Sequence, residues 1–204
     1  MTAVRAVVFD VGHVLYQWDR RHLFEKLIAD PVELDWFLDN VISRDWHNQH
    51  DAGRPIDEMI EERIIEYPHH EDLIRAYHGR WLETIPGPVP GSLEIVGELA
   101  TRGVPLFAIT NFGADYWAMF RPTAPVFDLF GGIVVSGEER LMKPDPAIYA
   151  LALKRFGLEP GEGLFIDDSL PNVEGARANG FAAHHFTDAQ VLRAELAALE
   201  LLPR

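Results

Sequence analysis

The feature that most constrains the fold of this chain is a set of four short apolar runs, each of which stops at a polar residue. The runs span residues 4–9, 105–109, 133–135 and 164–166. The polar residues that follow them are, in chain order, Asp10, the pair Thr110 and Asn111, Ser136, and the pair Asp167 and Asp168. Short apolar runs that end in polar turns are typical of buried strands leading into loops. The sequence therefore predicts four strands at these positions.

Helical patterns lie between the predicted strands. They cover residues 92–102, 147–156 and 170–179, and a fifth short strand at 182–185 followed by a helix at 189–199 completes the series. Ser92 can cap the first of these helices, and Gly180 can terminate the third. Strands that alternate with helices are typical of a parallel sheet covered on both faces. We therefore expect an α/β fold with a doubly wound parallel sheet.

The segment after the first strand has a different pattern. Residues 20–83 contain several amphipathic helical patterns, for example at 56–67, and no convincing strand. The sequence PGPVPG at residues 86–91 indicates a stiff connector where this segment ends. We therefore expect an α/β core made of residues 1–19 and 86–204, with residues 20–85 as a small, all-helical insertion after strand 1.

Composition excludes some classes of partner. The 204 residues include 32 acidic and 18 basic side chains, so the formal net charge is -14. Such a chain repels polyanions, which argues against nucleic acid and anionic membranes as partners. No stretch reaches the length of a membrane span, and Arg5 and Asp10 interrupt the apolar N-terminal run. We expect a cytoplasmic protein, and the absence of cysteine leaves carboxylates, histidines and lysines for chemistry.

The polar residues at the strand ends should converge. Ligands of open parallel sheets bind beyond the carboxyl ends of the strands, near the point where the strand order reverses. The residues expected there are Asp10, Thr110, Asn111, Lys143, Asp167 and Asp168. Because the chain separates these residues widely, their placement at equivalent strand ends favours one shared site over several unrelated turns.

This set of residues suits phosphoryl transfer through a covalent intermediate. Asp10 would attack phosphorus, and water would then hydrolyse the aspartyl-phosphate. Asp10, Asp167 and Asp168 are hard oxygen ligands of the type that Mg²⁺ prefers, and this cation reduces the repulsion between the two reacting anions. Lys143 adds positive charge for Asp10 and the phosphoryl oxygens. The expected hydrogen-bond donors to the same oxygens are Thr110 and Asn111.

Four segments of the chain resemble the ordered motifs of the haloacid dehalogenase superfamily. They are VFDVGHVL at residues 8–15, ITN at 109–111, MKPDPAIY at 142–149 and FIDDSLPN at 165–172. The resemblance spans the predicted core, and the helical insertion is similar to the type 1 cap of that superfamily. The first motif is similar to that of its small sugar-phosphate phosphatases.

The resemblance implies a role for each matching residue. Asp10 is then the nucleophile, and the Gly12 backbone carbonyl and Asp168 are metal ligands. Asp167 binds the metal directly or through water. The residues that hold the phosphate are then Lys143 and Thr110.

One position departs from the pattern of many phosphatases in this superfamily. These enzymes carry a second Asp two residues after the nucleophile as general acid and base, and this chain has Gly12 there. General acid catalysis is worth roughly 10²- to 10⁴-fold in rate. Histidine is a common general acid, so His13 is one candidate for the missing acid, and His47 or His50 from the cap is another. His47 lies in residues 46–51, a segment that also suits binding of a polar substrate.

Several functions remain open from sequence. We expect a phosphatase acting on a small phosphorylated metabolite, with a sugar phosphate as one candidate, as a monomer or homodimer. Carbon–halogen hydrolysis uses the same attack by Asp, but it needs no Mg²⁺, and the pair Asp167 and Asp168 would repel the leaving halide. A phosphosugar mutase is disfavoured because Gly12 replaces the proton-transferring Asp. A catalytically weakened binding protein is the non-enzymatic alternative.

Overall fold

The computed structural model describes residues 4–203, which form a five-stranded sheet flanked by helices. The strands are β1 (Ala6–Phe9), β2 (Leu106–Thr110), β3 (Gly132–Val135), β4 (Gly163–Asp167) and β5 (Ala182–His185). All neighbouring strands are parallel, and their order is β3-β2-β1-β4-β5. The prediction of a doubly wound parallel α/β sheet is confirmed.

Strand β1 occupies the centre of the sheet because its sequence, AVVF, is apolar at every position. All four of its residues are buried, and the strand pairs with β2 on one side and β4 on the other. Two strands extend further than the sequence predicted. Thr110 pairs with Val135, and Asp167 pairs with His185, so the ladder continues through the first polar residue after each apolar run.

The helices agree with the predicted pattern to within a few residues. They are α1 (Arg20–Phe24), α2 (Pro31–Asn40), α3 (Arg44–Asp51), α4 (Ile56–Glu66), α5 (Glu71–Gly79), α6 (Ser92–Thr101), α7 (Ala114–Phe120), α8 (Ser136–Glu139), α9 (Pro146–Phe156), α10 (Leu170–Ala178) and α11 (Ala189–Ala198). Asp145 caps α9 by accepting a hydrogen bond from the Ala147 amide, and Gly157 ends this helix with a φ of 64°. Within residues 4–203, no helix is both long and apolar enough to cross a membrane.

Residues 20–85 contain helices and no strand. The chain segments that lead into and out of this region run side by side. The Val89 amide donates to the Leu15 carbonyl at 2.9 Å, and the Gln17 amide donates to the Gly87 carbonyl at 2.9 Å. The connector therefore forms part of a short antiparallel pair, which agrees with its predicted stiffness. We propose that residues 20–85 act as a cap over the sheet edge.

Two apolar clusters cover the two faces of the sheet, because successive strand residues point to opposite sides. Val7 and Phe9 of β1 belong to the larger cluster, whereas Val8 belongs to the smaller one. The larger cluster continues into the helical insertion, where it includes Phe24 and Tyr77. The insertion therefore shares one hydrophobic core with the sheet.

Replacement of Phe24 tests this shared core. Its side chain is fully buried, and its ring centroid lies 4.7 Å from that of Phe37. We expect Phe24→Ala to lower the free energy of unfolding by about 3–5 kcal/mol, because it removes a large buried ring and leaves a cavity. Urea unfolding measures this loss. The control Ile65→Ala, at a residue 81% exposed, should change it by less than about 0.5 kcal/mol. Equal losses in both variants would contradict the packing.

Candidate active site

The carboxyl ends of three neighbouring strands form the floor of the candidate site. Asp10 follows β1, and its backbone amide donates to the Ile166 carbonyl of β4 at 2.8 Å. Thr110 and Asp167 are the last residues of β2 and β4. Because β1 pairs with both of these strands in register, the three residues lie at the same edge of the sheet. This is the edge at which parallel α/β proteins bind ligands.

Lys143 reaches the same edge from the loop between α8 and α9. Its Nζ lies 2.8 Å from Asp10 Oδ1 and 2.7 Å from Asp167 Oδ2, and its side chain is fully buried. Burial alone would lower the pKa of Lys143, but the two carboxylates outweigh burial and raise it. The amine therefore remains a cation. Burial raises the pKa of Asp10, and the charges of Asp167 and Asp168 raise it further. Lys143 opposes this rise.

The loop that carries Lys143 is held by the side chain of Asn111. Asn111 Nδ2 donates to the Lys143 carbonyl at 3.0 Å, and Asn111 Oδ1 accepts from the Lys143 amide at 2.9 Å. Both polar atoms of the Asn111 amide are thus engaged with backbone. This arrangement fixes the backbone position of the lysine and uses one of the two N–H groups of the Asn111 amide.

The two carboxylates after β4 have different surroundings. Asp167 is fully buried, and it accepts hydrogen bonds from the Ser169 amide, from Asn172 Nδ2 and from Lys143 Nζ. Asp168 is exposed to solvent. Oxygen atoms of Asp10, Asp167 and Asp168 lie within 4.8 Å of one another, which is close enough for them to surround one cation.

The hydroxyl of Thr110 is buried at the end of β2. The residue is 1% exposed, and its Oγ1 has no hydrogen-bond partner among the described residues. A buried hydroxyl without a partner carries an energetic cost that a bound ligand can remove. Thr110 therefore keeps a hydroxyl donor without a partner at this edge of the sheet, although it is not among the residues that line the cavity described next.

A cavity of about 330 Å³ lies between the sheet edge and the helical insertion. Its volume is within the range of small-ligand pockets. The residues lining it from the sheet edge and its loops are Asp10, Gly12, His13, Trp18, Asn111, Phe112, Met142, Lys143, Pro144, Asp168, Ser169, Pro171 and Asn172. The residues contributed by the insertion are Arg44, His47, Asn48, Asp51 and Trp81. The predicted site residues Asp10, Gly12, His13, His47, Asn111, Lys143 and Asp168 therefore surround one cavity.

Helix α3 presents one face to this cavity. Arg44, His47, Asn48 and Asp51 are spaced three or four residues apart, so they lie on the same side of the helix. His47 is buried and stacks on Trp18 at a centroid distance of 4.6 Å. Its Nδ1 lies 2.7 Å from the Tyr77 hydroxyl, from which it accepts a hydrogen bond when Nδ1 is unprotonated. Burial lowers the pKa of His47 to about 3. His47 is therefore neutral near pH 7 and lacks the extra proton that a general acid needs.

His50 lies on a different face of α3 and does not line the cavity. Its ring packs so closely against the backbone of Gly113 that a Cβ at this position would lie 1.9 Å from the ring. Burial lowers the pKa of His50, and its Nδ1 lies 2.8 Å from the Arg54 carbonyl. His50 therefore joins the insertion to the core, and the expectation that it supplies a catalytic proton is wrong. Gly113 must lack a side chain to permit this contact.

Four residues of the cavity lie outside the segments singled out from the sequence: Trp18, Arg44, Trp81 and Phe112. Asp51, which ends the predicted binding segment 46–51, is unusual because it is a buried carboxyl group whose Oδ1 has no hydrogen-bond partner among the described residues. Burial raises the pKa of Asp51 to about 7, and a hydrogen bond with the Gly113 backbone opposes this rise. The spacing from Arg44 to His47 and Asp51 was the available signal in the sequence.

Comparison with known proteins agrees with this geometry. The pattern of the haloacid dehalogenase-like hydrolase family matches residues 4–180. The chain is 28% identical to a sesquiterpene phosphatase of Aspergillus oryzae over 96% of each protein. It is 24% identical to a glyceraldehyde 3-phosphate phosphatase of Methanopyrus kandleri, over 87% of this chain and 81% of that protein.

A solved structure shares the fold. It is the magnesium complex of a HAD-family enzyme from Bacteroides thetaiotaomicron, with a TM-score of 0.72 and 19% identity over 94% of this chain and 100% of that chain. The chain belongs to the haloacid dehalogenase-like hydrolase family, and its relatives indicate a hydrolase of the phosphatase type.

Removal of Lys143 tests the electrostatics of the site. Lys143→Met leaves buried carboxylates without their cation, which typically costs about 3–5 kcal/mol. Because Lys143 lowers the pKa of Asp10, that pKa should rise further in the variant. When the pKa of a carboxyl group is higher in the folded state than in the unfolded state, the folded protein binds more protons. The free energy of unfolding of the variant should therefore decrease as pH rises from about 5 to 8.

Urea unfolding with a metal chelator present, at several pH values, measures this pH-dependent loss. The control is Lys154→Met on the exposed surface of α9, which should behave like wild type at every pH. A deficit in Lys143→Met that does not change with pH would contradict the assigned charge pairing.

Proposed function

We propose that this protein is a Mg²⁺-dependent phosphatase that hydrolyses a small phosphomonoester through an aspartyl-phosphate on Asp10. The observation that carries the proposal is the placement of Lys143 Nζ between Asp10 and Asp167, with the accessible Asp168 at the wall of the same cavity. The phosphatases among its relatives support the same reaction type.

The two oxygens of Asp10 have different surroundings. Oδ1 accepts hydrogen bonds from the Val11 amide at 2.7 Å and lies 2.8 Å from Lys143 Nζ. These two donors orient the carboxylate and leave Oδ2 to attack phosphorus. Attack forms a bond from Asp10 to phosphorus and breaks the bond to the alcohol oxygen. Water then attacks the same phosphorus, which releases inorganic phosphate and restores Asp10.

The carboxylates around Asp10 fit a magnesium ion. Asp10, Asp167 and Asp168 offer oxygens close to one another. Burial first, and then the charges of the other two carboxylates, raise the pKa of Asp10, and a bound cation would relieve this repulsion. Asp168 is free to bind a metal directly. The four hydrogen bonds to Asp167 favour binding through water. Gly12 lines the cavity, where its carbonyl would complete the set. When bound, Mg²⁺ supplies positive charge for the phosphoryl oxygens.

The remaining cavity residues support binding of a phosphorylated substrate. Lys143 and the unpartnered Thr110 hydroxyl are proposed to hold the phosphoryl oxygens, with Asn111 positioning Lys143. His47 and His13 line the cavity and are proposed to contact the rest of the substrate. A sugar phosphate stays one candidate. The cytoplasmic location and the monomeric or homodimeric state stay predictions.

Carbon–halogen hydrolysis is the less favoured function. A departing halide would meet the carboxylate of Asp168 at the cavity wall, and this chemistry has no use for a cluster of three carboxylates. Phosphate transfer needs such a cluster, because it can hold a divalent cation. Release of halide from haloacids is therefore expected to be absent where phosphate release is observed.

Replacement of the nucleophile tests the proposed reaction. We expect Asp10→Asn to lower the rate of phosphate release from p-nitrophenyl phosphate by at least about 1000-fold, because no covalent route remains. Thermal unfolding should show that the variant stays folded. The control Asp188→Asn changes a carboxylate at the start of α11 that does not line the cavity, and it should keep the wild-type rate. Substantial turnover by Asp10→Asn would exclude Asp10 as the nucleophile.

Replacement of Asp168 tests the metal. We expect Asp168→Ala to raise the Mg²⁺ concentration needed for half-maximal activity by about tenfold or more, because a direct ligand is lost. Titration of activity with MgCl₂ after chelator treatment measures this shift. Glu174→Ala, an exposed carboxylate on α10, is the control and should leave the titration unchanged. Full wild-type phosphate release in the presence of a chelator would contradict the proposed metal dependence.

A further inference from the structure

We propose that Asp51, at the end of cap helix α3, is the proton donor to the leaving group in this reaction. The inference rests on the proposed function and extends it. Of the carboxyl groups that line the cavity, Asp10 is used for attack and Asp168 for the metal, which leaves Asp51 without a role. Gly12 has no side chain that could transfer a proton.

The position of Asp51 suits proton transfer. Its side chain is 8% exposed, and Oδ1 has no hydrogen-bond partner among the described residues. His47 Nε2 lies 3.5 Å from Oδ1, which is too far for a good hydrogen bond. Asp51 lines the ligand cavity, and a buried carboxyl oxygen without a partner favours the protonated, neutral form of the acid.

The backbone of Asp51 is fixed to the core, although the residue belongs to the cap. Ser136 Oγ, at the end of β3, donates to the Asp51 carbonyl at 2.6 Å. The same Oγ accepts from the Phe112 amide at 2.9 Å, and Phe112 directly follows Asn111 in the loop after β2. One serine thus ties the end of α3 to the loop that positions Lys143. A proton donor held in this way keeps its position relative to the reacting groups.

The surroundings of Asp51 favour a proton that is exchanged near neutral pH. Burial raises its pKa to about 7, whereas the Gly113 backbone, Arg44 and Lys143 act in the opposite direction. His47 is neutral because burial lowers its pKa to about 3. The phenols that face Asp51 are Tyr77 of α5 and Tyr116 of α7, whose pKa values burial raises so far that both stay neutral. A donor with a pKa near the working pH is the most effective one.

The proton then moves in two balanced steps. As Asp10 attacks phosphorus and the bond to the alcohol oxygen breaks, the carboxyl proton of Asp51 passes to that oxygen, which gives the alcohol and an Asp51 carboxylate. In the second step the carboxylate takes a proton from water as the water oxygen attacks phosphorus. The bond to Asp10 breaks, and the products are inorganic phosphate, the Asp10 carboxylate and protonated Asp51.

The test compares two substrates with different leaving groups. Glycerol phosphate releases an alkoxide that needs a proton, whereas p-nitrophenyl phosphate releases a stable anion. We expect Asp51→Asn to lower kcat/KM for glycerol phosphate by roughly 10²- to 10⁴-fold and for p-nitrophenyl phosphate by less than about tenfold. Asp45→Asn, an exposed carboxylate on the same helix, is the matched control and should leave both values unchanged.

The wild-type pH profile gives a second test that needs no variant. The first chemical step requires protonated Asp51, so kcat/KM for glycerol phosphate should fall as pH rises through about 7. The same fall should be absent with p-nitrophenyl phosphate, and it should be lost for glycerol phosphate in Asp51→Asn. Profiles of the same shape for both substrates would overturn the proposal.

Failure of the inference can be distinguished from failure of the proposed function. If wild type releases phosphate from p-nitrophenyl phosphate with Mg²⁺ and Asp51→Asn loses equal activity on both substrates, Asp51 is structural and only the inference fails. If His13→Asn, rather than Asp51→Asn, selectively impairs glycerol phosphate, the donor is His13 and the inference also fails. If wild type releases no phosphate from either substrate, the proposed function fails first.

Discussion

The site depends on the contact of one buried cation with two carboxylates. Lys143 lies between Asp10 and Asp167, and all three side chains are almost entirely removed from water. Burying charges is expensive, so such a group persists only where hydrogen bonds and opposite charges surround it closely. The fold provides these conditions at the central strand ends: Asn111 holds the Lys143 backbone, and Asn172 holds Asp167.

The sheet could be predicted from sequence because its determinants are local. Each strand is a short apolar run that ends at a polar residue, and β1 is apolar on both faces because it lies at the centre of a covered sheet. The convergence of Asp10, Lys143 and Asp167 followed from a general property of parallel sheets. The ends of β2 and β4 were placed one residue early, because backbone pairing continues through Thr110 and Asp167 whatever their polarity.

The cap side of the cavity was harder to predict. Which side chains reach the cavity depends on how helix α3 is rotated against the sheet, and the helical pattern alone does not fix that rotation. The amphipathic pattern is compatible with several faces of α3 pointing toward the sheet. His50 contacts Gly113 instead of the cavity, and Asp51 enters the cavity, because the close approach of His50 to a glycine fixes the rotation of the helix. The sequence contains Gly113, but nothing in the sequence alone connects it with a histidine more than 60 residues earlier. The role of Asn111 in positioning Lys143 was likewise hard to predict, because the two residues are 32 positions apart in the chain.

The charge around the cavity links the two sides of the site. Three carboxylates and one lysine leave the floor negative, and the whole chain carries a net charge of -14, so a phosphate dianion approaches against repulsion. Arg44 supplies a positive charge on the cap side of the cavity. A protonated Asp51 removes one further negative charge from this wall. Because a nearby anion raises the pKa of a carboxyl group, an arriving phosphate would raise the pKa of Asp51 and keep it protonated. The proton would then transfer once the leaving oxygen becomes the stronger base. In this arrangement the same proton that lets the substrate enter is the one that its departing alcohol requires.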